Sequence, residues 1–244
     1  MEEKILTENG MPEESGRKRI VKKLDNFWYH YKWHSIVALF LVFVITVCSL
    51  QMCKKEDYDV YFMYAGGKYI SRQTENGNFC EYDVINSSLK QVSRDYDENG
   101  EVSVSFYDLY MLSSEEIKEL EDVNHAYLNN NNNSFRDAMS YSEYYVCFLS
   151  ESLYREYAKT EGVFMPLKSY TGEGDYRYLD DCAVYLHSEG LKFSTLPGIC
   201  DLPEDTVICM RAKTALSSYF NQREEAEQFR RGEECLKAIF AYGK

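Results

Sequence analysis

From Trp33 to Cys53 the chain runs WHSIVALFLVFVITVCSLQMC, with no residue of fixed charge and a centre rich in Leu, Val, Phe and Ile. At about 1.5 Å of rise per residue such a run reaches roughly 30 Å, the thickness of a bilayer's hydrocarbon core. Hydropathy therefore predicts one membrane-spanning helix over residues 33–53. Beyond it the pattern becomes periodic. DYDVYFMYAGG (57–67) is a compact aromatic and β-branched run closed by two glycines, which predicts a strand ending in a tight loop. In residues 81–96, Val84, Ile85, Leu89 and Val92 recur at helical spacing, and EVSVSFYDLYML (101–112) alternates as a second strand.

Further along, Ser113 is followed three residues later by Glu116 and then by Ile117 and Leu120, the capping-box start of a helix. The five asparagines Asn129–Asn133 predict an exposed loop, because Asn favours turns over regular structure, with a short helix, FRDAMS, behind it. Residues 144–167 read as a buried strand, a serine cap, a short helix and a glycine-terminated return to Pro166-Leu167. Two or three further strands follow between 181 and 213, His187 among them, around turns at Glu189–Gly190 and Pro197–Gly198. A closing helix near the C-terminus puts Ala226, Phe229, Leu236, Ile239 and Phe240 on one face. Alternating strands and helices followed by an antiparallel region predict the α/β class.

Charge orients this plan. Arg17, Lys18, Arg19, Lys22, Lys23 and Lys32 precede the apolar run, whereas only Lys54, Lys55, Lys68 and Arg72 follow within the next twenty residues. The excess of positive charge on the leading side predicts a cytoplasmic N-terminus, and the aromatic FWYHYKWH suits the membrane interface. The apolar core is longer than a signal-peptide core, and no small-x-small cleavage motif follows it. Neither Cys48 nor Cys53 has the small preceding residue of a lipoprotein signal, so a signal anchor is expected. The expected organisation is a cytoplasmic segment 1–32, a span 33–53 and an extracytoplasmic domain 54–244. That last part is more acidic than the chain as a whole, whose net charge is −13, because the segment before it is slightly basic; this argues against nucleic acid as a partner.

Candidate chemistry is sparse. The eight cysteines form no CxxC and no zinc-ligand spacing; Cys147 and Cys209 fall in apolar runs and read as buried thiols, and a Cys182–Cys200 disulfide is one pairing the sequence allows. GxSxG, HExxH, P-loop and GxGxxG motifs are absent, which points away from an enzyme. DYDENG (95–100) matches the opening of a calcium loop, with Asp95, Asp97 and Asn99 at the oxygen positions and Gly100 at the turn. Its twelfth position is Phe106 in place of the bidentate Glu, leaving Asp108 or Glu101 to close the sphere. The expectation is a polar turn with weak calcium binding at most, and no other cofactor.

The passage YYVCFLSESLYREYAKTEGVFMPL (144–167) resembles the apolar strand, serine, helix, glycine and Pro-Leu turn of type II extracytoplasmic solute-binding proteins. The resemblance covers about 24 residues and the surrounding β/α order, and it implies a lobe of that fold in a membrane-anchored bacterial protein. The outer part is shorter than a two-lobed binding protein, which implies that one lobe is reduced or missing. Ligands sit outside the carboxyl ends of strands in such folds, so the resemblance puts Gly66, Gly67, Ser150, Glu151 and Ser152 at the mouth of a cleft. The expected function is non-catalytic binding of a small molecule or of an envelope protein. The alternatives are a structural subunit of an envelope complex and, further off, a hydrolase without known motifs.

Overall fold

The computed structural model describes residues 16–52, 57–72, 80–120, 124–141, 143–213 and 222–244. Residues up to Asp57 and residues from Tyr58 onward form two separate compact units. Among the described residues the first holds one helix, α1 (Gly16–Met52), which carries the apolar run and continues N-terminally through the basic and aromatic stretch. Its segment Tyr31–Ser49 is long and apolar enough to cross a membrane or to serve as a signal sequence, and none of it is buried. Leu39 is 73% exposed and Phe40 63%. Cys53, Lys54 and Lys55 lie outside the described residues.

The second unit is a mixed α/β domain. Its strands are β1 (Val60–Gly66), β2 (Val104–Tyr110), β3 (Val146–Ser150), β4 (Tyr178–Asp180), β5 (Ala183–Tyr185) and β6 (Thr206–Met210). They form one sheet in the order β2-β1-β3-β6-β5-β4. β1 pairs in parallel with β2 and β3, and the remaining pairings are antiparallel. Every residue of β1, β3 and β6 is buried, as expected of strands covered on both faces.

Helices supply that cover. On one face α2 (Glu81–Lys90) contributes Ile85 and Leu89, and the C-terminal helix α7 (Gln222–Ala241) contributes Phe229, Leu236, Ile239 and Phe240, against Phe62, Phe148 and Ile208 of the sheet. On the other, α4 (His125–Tyr141) and α5 (Glu151–Tyr157) bury Phe135, Met139, Leu153 and Tyr154 against Met63, Cys147 and Val207. The short α3 (Ser114–Glu119) and α6 (Lys168–Thr171) complete the connections.

Several local expectations change. Asn129–Asn133 form the middle of α4 and not a loop. Leu128, Phe135, Ala138 and Met139 recur at helical spacing on the buried side, and that burial outweighs the modest helix penalty of Asn. Two of the asparagines also gain partners: Asn131 donates to the Tyr110 carbonyl (2.7 Å), and Asn132 accepts from the Tyr157 hydroxyl (3.0 Å). Ser150 occupies the position that begins α5, but its hydroxyl makes no capping bond. His187 lies in the turn after β5, its Nε2 2.8 Å from the Leu202 carbonyl. Ala226 is exposed, because at about 100° per residue it falls beside the stripe that Phe229, Leu236 and Phe240 share. Cys182 and Cys200 are free thiols, and Cys147 and Cys209 are buried opposite each other on β3 and β6.

Candidate functional site

The register Ala65↔Leu149 brings the C-terminal ends of parallel β1 and β3 side by side. The chain leaves β1 toward β2 on one side and leaves β3 into α5, so the strand order reverses between these two strands. Crevices open at such reversals. All five residues expected at a cleft mouth, Gly66, Gly67, Ser150, Glu151 and Ser152, belong to these two strand ends. A Cβ at Gly66 would stand 2.7 Å from the Tyr64 hydroxyl oxygen and 3.0 Å from Cζ, so a side chain there would displace the buried Tyr64 ring.

Hydrogen bonds tie the other residues into the fold. The Ser150 and Ser152 hydroxyls lie 3.2 Å apart, and Ser152 donates to Glu116 Oε2 at 3.0 Å. That oxygen also accepts the Ser113 backbone N–H (2.7 Å), so the sequence-predicted capping box of α3 anchors the start of α5. Glu151 accepts from the Tyr185 hydroxyl (2.6 Å) and from Arg155 Nε (2.8 Å). These two bonds hold its carboxyl below the usual carboxylate range, so it is an anion at neutral pH.

Two polar groups carry no signal in the sequence. The Tyr64 hydroxyl and Thr206 Oγ1 are buried without a hydrogen-bond partner that meets distance and angle. Both residues are 1% exposed, and both sit at this end of the sheet on the α2/α7 face. Burial, with smaller contributions from Asp205 and Glu81, raises the Tyr64 hydroxyl well above its ordinary range, although the Lys68 backbone N–H faces it. It therefore stays protonated and offers a hydrogen-bond donor. Strand alternation marks Tyr64 as inward-facing, but only the packed neighbours reveal that its hydroxyl is left over. The strand ends thus gather neutral hydroxyls and one paired carboxylate, with the Tyr64 and Thr206 hydroxyls closed off from solvent.

The calcium-like loop lies at the other end of β1. Asp95 accepts the N–H groups of Asn99 (3.2 Å) and Gly100 (2.7 Å), and Asp97 accepts Asn99 N–H (3.1 Å). Gly100 (φ 93°) and Glu98 (φ 57°) take the left-handed conformation that the turn needs. The Gly100 N–H chiefly, with other loop donors, holds the Asp95 carboxyl below its ordinary range.

Neither substitute for the missing closing ligand is confirmed by this geometry. Asp108 is ion-paired with Arg72 at the far end of β2, and Phe106 is a core residue. Asn99 turns its carbonyl oxygen to the Glu101 N–H (2.8 Å) and its amide to Asp97 Oδ2 (2.7 Å). A carboxylate that the motif could not show joins instead. Asp59, buried just before β1, presents an oxygen so that those of Asp59, Asp95 and Asp97 all lie within 4.8 Å of one another.

Fold and strand-end geometry together define a mixed α/β domain whose strand order reverses between parallel β1 and β3. Comparison of the chain with protein-family models, with curated proteins and with solved structures gives no match.

Proposed function

We propose that this chain is a single-pass, membrane-tethered binding protein. Its N-terminus lies in the cytoplasm, and the α/β domain outside holds a small polar ligand or an envelope protein at the β1–β3 strand ends without transforming it. The observation that carries this reading is the helix segment Tyr31–Ser49, apolar and wholly unburied, in a chain that also folds a separate α/β domain. Leaving that much apolar surface in water is costly, at roughly 25 cal/mol per Å², and a bilayer removes the cost. The positive charge before the span supports the orientation. The parallel β2-β1-β3 order, and the likeness of residues 144–167 to the type II solute-binding passage, support the strand ends as the ligand position.

Topology is tested by adding protease to intact cells expressing the chain with a C-terminal tag. The tag and the domain are expected to be lost while an N-terminal fragment through the span survives. Full protection of the domain overturns the orientation.

A second reading concerns the Asp59–Asp95–Asp97 cluster, which we propose as a weak calcium site, because the convergence of its carboxylate oxygens concentrates negative charge. Millimolar calcium is expected to raise the unfolding temperature of the wild-type protein and to leave the D95A/D97A variant unmoved. Equal responses in the two proteins retire the calcium reading and leave the loop as a turn.

A further inference from the structure

Where β6 runs out and β3 begins, at the opposite end of the sheet from Gly66 and Ser150, the described residues line an open cavity of about 440 Å³. Its walls include Arg136 and Met139 of α4, Tyr157 at the end of α5, and Val163, Arg211 and Lys213. Three of these side chains are cationic, against one carboxylate in the lining, Glu161, in a chain whose net charge is −13. Such a local reversal of sign is a recognition feature.

Arg211 is the fixed element. It is 1% exposed, donates from Nε to the Tyr144 carbonyl (3.3 Å) and from Nη1 to the Met139 carbonyl (3.1 Å), and lies 4.4 Å from the Tyr145 ring centre. These carbonyls and the aromatic face orient the guanidinium. The Tyr145 hydroxyl donates to Glu225 Oε1 (3.1 Å). Arg136 and Lys213 are exposed, and neither has an ion pair among the described residues; Lys213 Nζ stands 4.4 Å over the Phe229 ring.

A cavity of this size fits a small organic molecule. Guanidinium forks match the paired oxygens of carboxylates and phosphates, and Met139, Tyr157 and Val163 add apolar wall. We infer that this cavity binds a small organic anion, its charged head held by Arg136, Arg211 and Lys213 and its apolar body by Met139, Tyr157 and Val163. This site is separate from the β1–β3 strand ends and does not depend on them.

The test is isothermal titration of the full-length chain in detergent micelles, with micelles alone as the blank. The probes are benzoate, phenyl phosphate, inorganic phosphate and benzamide, a neutral analogue of benzoate. Saturable binding of benzoate or phenyl phosphate is expected, with benzamide and inorganic phosphate weaker by at least about tenfold. Charge reversal at the exposed positions, R136E/K213E, is expected to weaken the organic anion by about tenfold or more. The pair K90E/K168E makes the same change in net charge at exposed positions outside the cavity lining and is expected to leave affinity within about twofold. Absence of saturable heat from both organic anions at about 10 mM overturns the proposal. So does benzamide binding as tightly as benzoate, or equal weakening by the two charge-reversal pairs. Inorganic phosphate matching phenyl phosphate overturns the role of the apolar wall.

Discussion

Replacing Asp59 with alanine is expected to destabilise the α/β domain by about 3–5 kcal/mol, because each buried donor left without its acceptor costs about 1–3 kcal/mol. Asp59 is 1% exposed and accepts the backbone N–H groups of Tyr96 (2.6 Å), Asp97 (3.3 Å) and Ser103 (2.8 Å), together with the Ser103 hydroxyl (2.9 Å). The Asp59 carboxylate is the shared acceptor of these donors, so its removal leaves them without this protein partner. For a domain of this size the loss corresponds to a fall of roughly 10 °C in unfolding temperature. D59N keeps one oxygen and is expected to fall between wild type and D59A. Measured in calcium-free buffer, the effect separates the structural role of Asp59 from any metal. A loss below about 1 kcal/mol would show that the loop does not depend on this side chain.

Phe148→Ala is expected to cost about 3–5 kcal/mol, the range for emptying a large aromatic site in a core. Phe148 is fully buried on the central strand β3. Its ring stacks between Phe62 on β1 and Phe193 in the 3₁₀ turn Lys192–Thr195, each centroid 6.2 Å away. It therefore joins the sheet to the loop-rich segment before β6, and neither neighbour can fill the gap without leaving its own contacts. Against a typical total stability of about 5–15 kcal/mol, this single change consumes a large share. The check is the denaturant midpoint at unchanged slope, since a changed slope would signal a more compact unfolded state or an intermediate. F148L, which retains much of the buried volume, is expected to lose less than half as much. Equal losses for the two variants would mean that the site does not sense cavity volume.

Features written in short-range pattern are legible along the chain. Val60–Gly66 forms a strand because an aromatic-rich apolar segment runs to a glycine pair, and Ser113 and Glu116 make their reciprocal bonds because the capping box needs only four consecutive residues. The asparagine run departs from its local preference because that preference is weak. Intrinsic propensity is worth only tenths of a kcal/mol per residue, and burial of Phe135, Ala138 and Met139 is worth more. Ala226 shares a helical spacing with Phe229, which predicts a buried place, but the helix turns it to solvent.

The candidate sites divide in the same way. Asp95 and Asp97 announce themselves through a local motif, but Asp59, which organises their loop, lies 37 residues before Tyr96 and belongs to no motif with it. Likewise, Arg136 on α4 and Lys213 beyond β6 carry no joint signal in the chain.

What the sequence by itself determined is the part governed by near neighbours: a long apolar helix at one end, the kinds and order of most elements, an acidic portion after that helix, and a polar turn at DYDENG. What only the tertiary structure decided is which distant groups meet. It brought Gly66 beside Ser150, left the Tyr64 hydroxyl without a partner, drew Asp59 to Asp95 and Asp97, and gathered cations around one cavity in an acidic protein. Periodicity and turn chemistry act over a few residues and can be read along the chain. Pairings across a sheet depend on strand order and register, which arise only when separated segments close loops and bury their apolar faces together.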